Sequence, residues 1–249
     1  CIAAAAAGRD ARAPRDAVPT SVRRPGGRGT KTGAAGPQSR GRVAGGAAAR
    51  LGAAGMSSDD AITAPPRCAW ATDDPLLQTY HDAEWGRPQR DGRALWEKLM
   101  LDGFQAGLSW RLILQRRESL RAAFSGFDPA LLADWSPDGL PRIMAAPGMI
   151  RSERKIRAVL HNARAWQAMH ADGEDFGHLA WEVVDGSPVA GYPPATTSRI
   201  GDELSRRLRH RGFQFAGPRI CHAWAQACGL IHAHEPECFL FDPELRPPG

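Results

Sequence analysis

The sequence predicts an all-α fold for most of the chain. Three observations lead there. From about residue 91 the large apolar side chains recur at helical spacing, alternating strand patterns are scarce, and the periodic stretches begin at Ser, Thr or Asp and end at Gly.

The first such stretch is "DGRALWEKLMLDGFQAG", 91–107, with Asp91 as its cap. Leu95, Leu99 and Met100 share one face with Trp96 beside them, so Trp96 reads as core. An acid, Asp102, then stands among apolar residues just before the helix stops in small side chains. "SWRLILQRRESLRAAF" follows, with Ser109 as N-cap. "DPALLADW" and "SPDGLPRIMAA" are short helices announced by Asp or Ser before Pro. "SERKIRAVLHNARAWQAMHADG" is the longest. Ile156, Val159, Leu160, Ala163 and Trp166 form its inner stripe, and Asp172-Gly173 ends it. "FGHLAWEVVDG" is another. "TSRIGDELSRRLRHRGF" is capped by Thr197 or Ser198 and closes on a cationic last turn that suits the helix dipole. "GPRICHAWAQACGL" completes the set. The Pro-rich stretches "GSPVAGYPPATT" and "PELRPPG" read as loops, and no internal repeat is visible.

Composition divides the chain of 249 residues in two. Residues 1–55 are Ala, Gly, Arg and Pro with ten Lys or Arg against two Asp, which leaves 22 basic and 25 acidic residues beyond them. The net charge of +5 therefore belongs to the tail, and any basic surface on the rest must be local. Such a tail lacks the apolar surface to offset its ordering entropy, so residues 1–60 are expected to be disordered and residues 61–249 to form one helical domain. An Arg-rich transit peptide and a nucleic-acid-binding arm are alternative readings of the tail, and "MSSDDAITAPPRCAW" reads as a natural start at Met56. No stretch reaches the ~20 apolar residues of a membrane span. The five cysteines are an odd number for a disulfide framework and suggest a reducing, cytoplasmic setting.

Cysteine and histidine cluster at both ends of the domain. "RCAWATDDPLLQTYH" offers Cys68 and His81, and "HAHEPEC" offers His234 and Cys238, together a Cys2His2 set of the kind zinc favours. On spacing alone His232 competes with His234, and Cys221 and Cys228 are rival ligands that read more easily as core. A four-ligand site leaves no open position, so it would be structural, and it would close a loop of more than 150 residues.

Large aromatics crowd the N-terminal part: Trp70, Tyr80 and Trp85 in an irregular segment full of Asp and Pro, then Trp96, Phe104 and Trp110. Beside an inward acid they suggest a slot for a flat polar ligand such as a nucleobase, although a plain helical-lobe core explains them equally. "APGMIRSERKIR", 146–157, places a Pro-Gly turn and Arg151, Arg154, Lys155 and Arg157 at a helix start capped by Ser152. That makes a phosphate cradle similar to a helix-hairpin-helix, or an ordinary solvated turn.

The motifs "RCAWATDDPLLQTYHDAEWG", "GFQAGLSW", "GMIRSERKIRAVLHNARAW", "RLRHRGFQFAG" and "QACGLIHAH", in that order, resemble the 3-methyladenine DNA glycosylase I family from Cys68 to Cys238. The resemblance implies the helix-hairpin-helix DNA glycosylase fold. It implies one structural Zn2+ on Cys68, His81, His234 and Cys238, joining the N- and C-terminal segments. It implies a base pocket on Asp102, Trp110, Tyr80, Trp70 and Trp85, with "AGLS" as a wedge (Gly107 in its turn, Leu108 at its tip). Gly148, Met149, Arg151, Arg154 and Lys155 would grip the DNA backbone. The implied activity is monofunctional hydrolysis of the N-glycosidic bond of 3-methyladenine in duplex DNA, by a monomer with no membrane partner.

The family is known for lacking the superfamily's catalytic Asp, so Asp102 is assigned to base recognition and no general base is named. Lys98 is read as a helix surface charge and Lys155 as a phosphate contact. Three departures stand out, one of them Phe104 in place of a polar residue beside the acid. Asp102 occupies the place of a Glu in typical members, and Pro218, Arg219, His222, Ala225, His232 and Ala233 depart from the family pattern near the C-terminus. They motivate two alternatives: a catalytically weak module that binds damaged or modified nucleic acid, and a glycosylase with shifted alkylpurine specificity.

Overall fold

The computed structural model describes residues 65–191, 195–245 and 247. The tail expected over residues 1–60, and Met56, lie outside the described residues.

Nine α-helices make the described part: α1 (Pro75–Ala83), α2 (Gly92–Gln105), α3 (Trp110–Ala123), α4 (Pro129–Ala133), α5 (Leu140–Met144), α6 (Glu153–Ala171), α7 (Phe176–Glu182), α8 (Arg199–His210) and α9 (Pro218–Ala227). Two residue pairs, β1 (Val189–Ala190) and β2 (Ile231–His232), form a minimal parallel bridge inside stretches read as loop and helix end. It ties the Pro-rich loop to the segment after α9.

The caps are those the sequence signals. Asp91 accepts from the Ala94 N–H, Ser109 from Leu112, Asp128 from Ala130 and Ser198 from Gly201. Ser198, not Thr197, is therefore the cap of α8. Ser152 stands at the N-cap of α6 in extended backbone, but its side chain makes no capping bond.

One element was missed. The segment holding Tyr80 is not irregular: Asp74 caps α1 through the N–H groups of Leu76 and Leu77, and Pro75 occupies the first turn. This is the same Asp-Pro start that marks α4. Tyr80 and His81 thus project from a helix, in fixed directions.

Helix α2 is the hub. It packs against α3, α6, α7 and α9. Every residue from Leu99 to Gln105 is buried, so its C-terminal half has no solvent face. Trp96 is fully buried against Phe127 and Trp166, as the sequence reading expects, and the Trp224 indole N–H donates to the Leu95 carbonyl at 2.9 Å. Burying such a side chain stabilises the fold by roughly 1.5–3 kcal/mol. Cys221 and Cys228 are buried core thiols of α9 and its cap, each pushed up in pKa by that burial. Three of the C-terminal departures, His222, Ala225 and Ala233, pack inward, while Pro218 and Arg219 are exposed. His222 is buried between the Ser198 hydroxyl (2.8 Å) and the Ala195 carbonyl (2.7 Å), tying α9 to the loop before α8.

Candidate functional site

Two constellations lie close together at the N-terminal end of the domain. The first is the Cys/His cluster. Cys68, His81, His234 and Cys238 are all buried, and their ligand atoms lie within 4.8 Å of one another. Cys68 Sγ is 3.5 Å from His234 Nδ1, Cys238 Sγ is 3.4 Å from His81 Nε2, and Cys238 Sγ is 3.5 Å from His234 Nδ1. A tetrahedral ion with bonds of about 2.3 Å to sulfur and 2.0–2.1 Å to nitrogen separates S and N ligands by about 3.5 Å. The donor set fits such an ion.

The surroundings fit it too. Asp82 meets His81 Nδ1 at 2.9 Å and leaves Nε2 facing the cluster, while Arg67 clamps Asp82 with both nitrogens. The backbone N–H groups of Glu235 and Leu240 point at Cys68 Sγ and Cys238 Sγ. Gly86, at φ +76°, admits the His234 ring, whose Nε2 would lie 2.6 Å from any added Cβ. Without an ion, burial holds the Cys68 thiol well above its usual pKa and pushes His234 down to about 3. The rivals fall away: Cys221 and Cys228 are not in the cluster, and His232 Nε2 accepts from the Asp242 N–H.

The second constellation is a box. Tyr80 comes from α1, Lys98 and Asp102 from α2, and Trp110 from the first residue of α3. The Tyr80 and Trp110 rings stand 5.4 Å apart at 48°. Trp70 lies against Tyr80 at 6.3 Å. Trp85 touches Trp70 edge-on at 5.1 Å but is turned toward the Cys/His cluster, 4.7 Å from the His234 ring. Trp70 and Trp85 thus connect box and cluster.

Asp102 is 4% exposed, and burial raises its carboxyl pKa against the opposing charge of Lys98. Lys98 is not a surface charge. Its ammonium is buried 3.7 Å from the Trp110 ring centre, 5.1 Å from that of Tyr80 and 3.7 Å from Asp102 Oδ2. The cause is the full burial of this half of α2: residues four apart share a face, so Lys98 follows Asp102 inward. Among the described residues, five buried side-chain polar atoms lack a hydrogen-bond partner. Four are Tyr80 Oη, Lys98 Nζ, Asp102 Oδ2 and Trp110 Nε1. Buried polar groups are nearly always paired, so four orphans around one point mark a place for a polar ligand.

Two glycine turns follow in sequence beyond the box residues of α2. Gly107, at φ +79°, makes the turn that ends α2, and half-buried Leu108 follows it. Gly148, at φ +73°, makes the turn before α6, with Met149 buried and Arg151 and Arg154 exposed. Lys155, in the first turn of α6, ties that helix to the end of α2: its ammonium donates to the carbonyls of Phe104 (2.8 Å) and Ala106 (2.6 Å). The sequence reading had given that ammonium to a phosphate. It also missed Asn162, whose side-chain amide exchanges two hydrogen bonds with the Gln214 backbone and fixes the loop after α8.

A helical shell with a buried Cys2His2 set and an acid–lysine pair beside aromatic rings defines a class of helical proteins in which a polar box adjoins a candidate metal centre. More particularly, the chain belongs to the methyladenine glycosylase family, whose sequence model matches residues 70–241. It is 40% identical over 180 residues to DNA-3-methyladenine glycosylase 1 of Escherichia coli (strain K12), spanning 70% of this chain and 96% of that protein. The crystal structure of a 3-methyladenine DNA glycosylase I superposes with a TM-score of 0.68 at 42% identity, covering 71% of this chain and all of the other. A variant of 3-methyladenine DNA glycosylase I solved in complex with 3-methyladenine matches with a TM-score of 0.65 at 31% identity over 69% of this chain and 95% of that one.

Proposed function

We propose that the protein is a DNA-3-methyladenine glycosylase, which hydrolyses the N-glycosidic bond of 3-methyladenine in alkylated DNA. The single observation that carries this reading is the box of Tyr80, Asp102 and Trp110 with its orphaned polar atoms, in a chain of this family. 3-Methyladenine in DNA is cationic. The faces of Trp110 and Tyr80 attract such a ring by roughly 0.5–2 kcal/mol. A buried carboxylate at Asp102 accepts from the exocyclic amine and favours the charged base over neutral adenine.

Extrusion of the nucleotide costs a few kcal/mol, less for a damaged base. Leu108, on the turn set by Gly107, is the group we assign to the gap it leaves. Gly148, Met149, Arg151 and Arg154 hold the DNA backbone beside it. Lys155 contributes through the carbonyls it holds, tying the first turn of α6 to the end of α2. The methylated purine is already a good leaving group, so the protein's work is to evert, bind and admit water.

Zn2+ is the ion we assign to Cys68, His81, His234 and Cys238. When bound there with four protein ligands it supplies structural closure and no reactive position. DNA bearing an alkylated base is the partner. No described helix is long and apolar enough to cross a membrane.

The test is release of free 3-methyladenine from methylated duplex DNA, read by chromatography. Release at catalytic protein concentration is the expected result. Retained DNA binding with no release at excess protein would favour the damaged-base binder instead, a reading to which the shortened acid and the lysine in the box lend their weight. A panel of alkylpurine substrates separates shifted specificity from both.

A further inference from the structure

Lys98 is the feature that the proposed chemistry does not absorb. An ammonium buried beside a carboxylate is costly unless hydrogen bonds satisfy it, yet Lys98 Nζ lies at ion-pair distance from Asp102 and makes no hydrogen bond. A lysine kept for structure alone would take up carbonyls, as Lys155 of α6 does at the C-terminal end of α2. Lys98 instead rests on the Trp110 face at 3.7 Å, the position and charge that a methylated purine would present.

The stacking place on Trp110 is also taken: Lys98 Nζ lies 3.7 Å above the ring centre, while Tyr80 is tilted 48° to Trp110 with ring centres 5.4 Å apart, so the two rings present no parallel pair of faces. Lys98 has somewhere to go. Its side chain also lines a groove in which Glu84 is paired with Arg117 and Glu97 with Arg121, so two carboxylates line the same groove.

We propose that Lys98 is a tethered cation that occupies the base box of the free protein and withdraws into the Glu84–Glu97 groove when a cationic purine enters, so that this side chain sets the affinity of the site. The inference rests on the base-pocket reading given above. It makes Lys98 a specificity and affinity determinant, with no covalent step. A site blocked about nine-tenths of the time binds its ligand about tenfold more weakly than an open one.

Two measurements test it, both with the permanently charged 3,9-dimethyladeninium ion, whose 9-methyl group stands in for the sugar carbon. The first is its dissociation constant, from quenching of intrinsic tryptophan fluorescence, in wild type, Lys98→Met and Lys98→Gln. Removal of the ammonium should tighten binding about tenfold. Thermal melting shows whether each variant is folded, and the glutamine variant serves if the methionine one is not.

The second needs no variant. Limited acetylation with acetic anhydride, read by peptide mass, should label Lys98 several-fold faster with the ion bound than without it, while a solvent-exposed amine changes little. Unchanged affinity in both variants, or Lys98 labelling that stays flat or falls on ligand binding, overturns the inference. Base release by wild type in the same preparation tells the two failures apart. Release with flat labelling sinks only the role of Lys98. Neither release nor binding of the ion sinks the pocket as well.

Discussion

At the scale of single residues, the pocket depends on which polar side chains face inward on α2. Asp102 was legible because an acid in an otherwise apolar run is conspicuous. Lys98 was not, although it stands four residues before Asp102 and so shares its face. The sequence reading treated α2 as amphipathic, with lysines outward, and that assumption fails where neighbours cover a helix on all sides. Trp110 is the cleanest probe of the box, since its ring contacts both Tyr80 and Lys98. Trp110→Ala should lower base release about 100-fold, within the range for removing a transition-state contact, and leave non-specific DNA binding within about twofold. Gel-shift and release assays run side by side check this, and equal losses would remove Trp110 from the pocket.

At the scale of elements, caps and turns carried most of what could be read. Asp91, Ser109, Asp128 and Ser198 are all observed caps. Helix α1 escaped because its nine residues sit in an Asp- and Pro-rich stretch, where loop composition outweighed the Asp74-Pro75 start. The Val189–Ala190 bridge has too few residues to show any period.

Two substitutions follow from these elements. Gly148→Ala forces a left-handed backbone on a Cβ that would lie 2.4 Å from Ser119 Oγ. It should cost about 2 kcal/mol by denaturant melt, and it should weaken DNA binding more than Gly173→Ala, whose left-handed turn is open. Ser198→Ala removes both the α8 cap and a partner of His222. A loss of about 1 kcal/mol or somewhat more is expected, read as a lower denaturant midpoint with an unchanged slope.

At the scale of the whole molecule, the domain is closed by its Cys/His cluster. Cys68, His81, His234 and Cys238 were readable from sequence as one candidate ligand set once the resemblance was in hand, because a Cys2His2 combination needs no secondary-structure signal. Spacing alone could not choose between His234 and His232, since only the folded chain shows which imidazole turns inward. Cys238→Ser should lower bound zinc, measured by atomic emission, and melting temperature together. The entropy of a closure longer than 150 residues puts the stability loss at several kcal/mol. Full zinc content in that variant would take Cys238 out of the ligand set.

His81, one of the four clustered Cys/His residues, is the immediate neighbour in sequence of Tyr80, a wall of the box, and both belong to one nine-residue helix. Trp85 and Trp70 bridge the remaining gap by ring contacts. Whatever loosens the clasp therefore slackens the recognition wall. A cell short of metal, or one whose thiols have been oxidised, would hold this protein with its damage reader out of focus before the rest of the shell gives way.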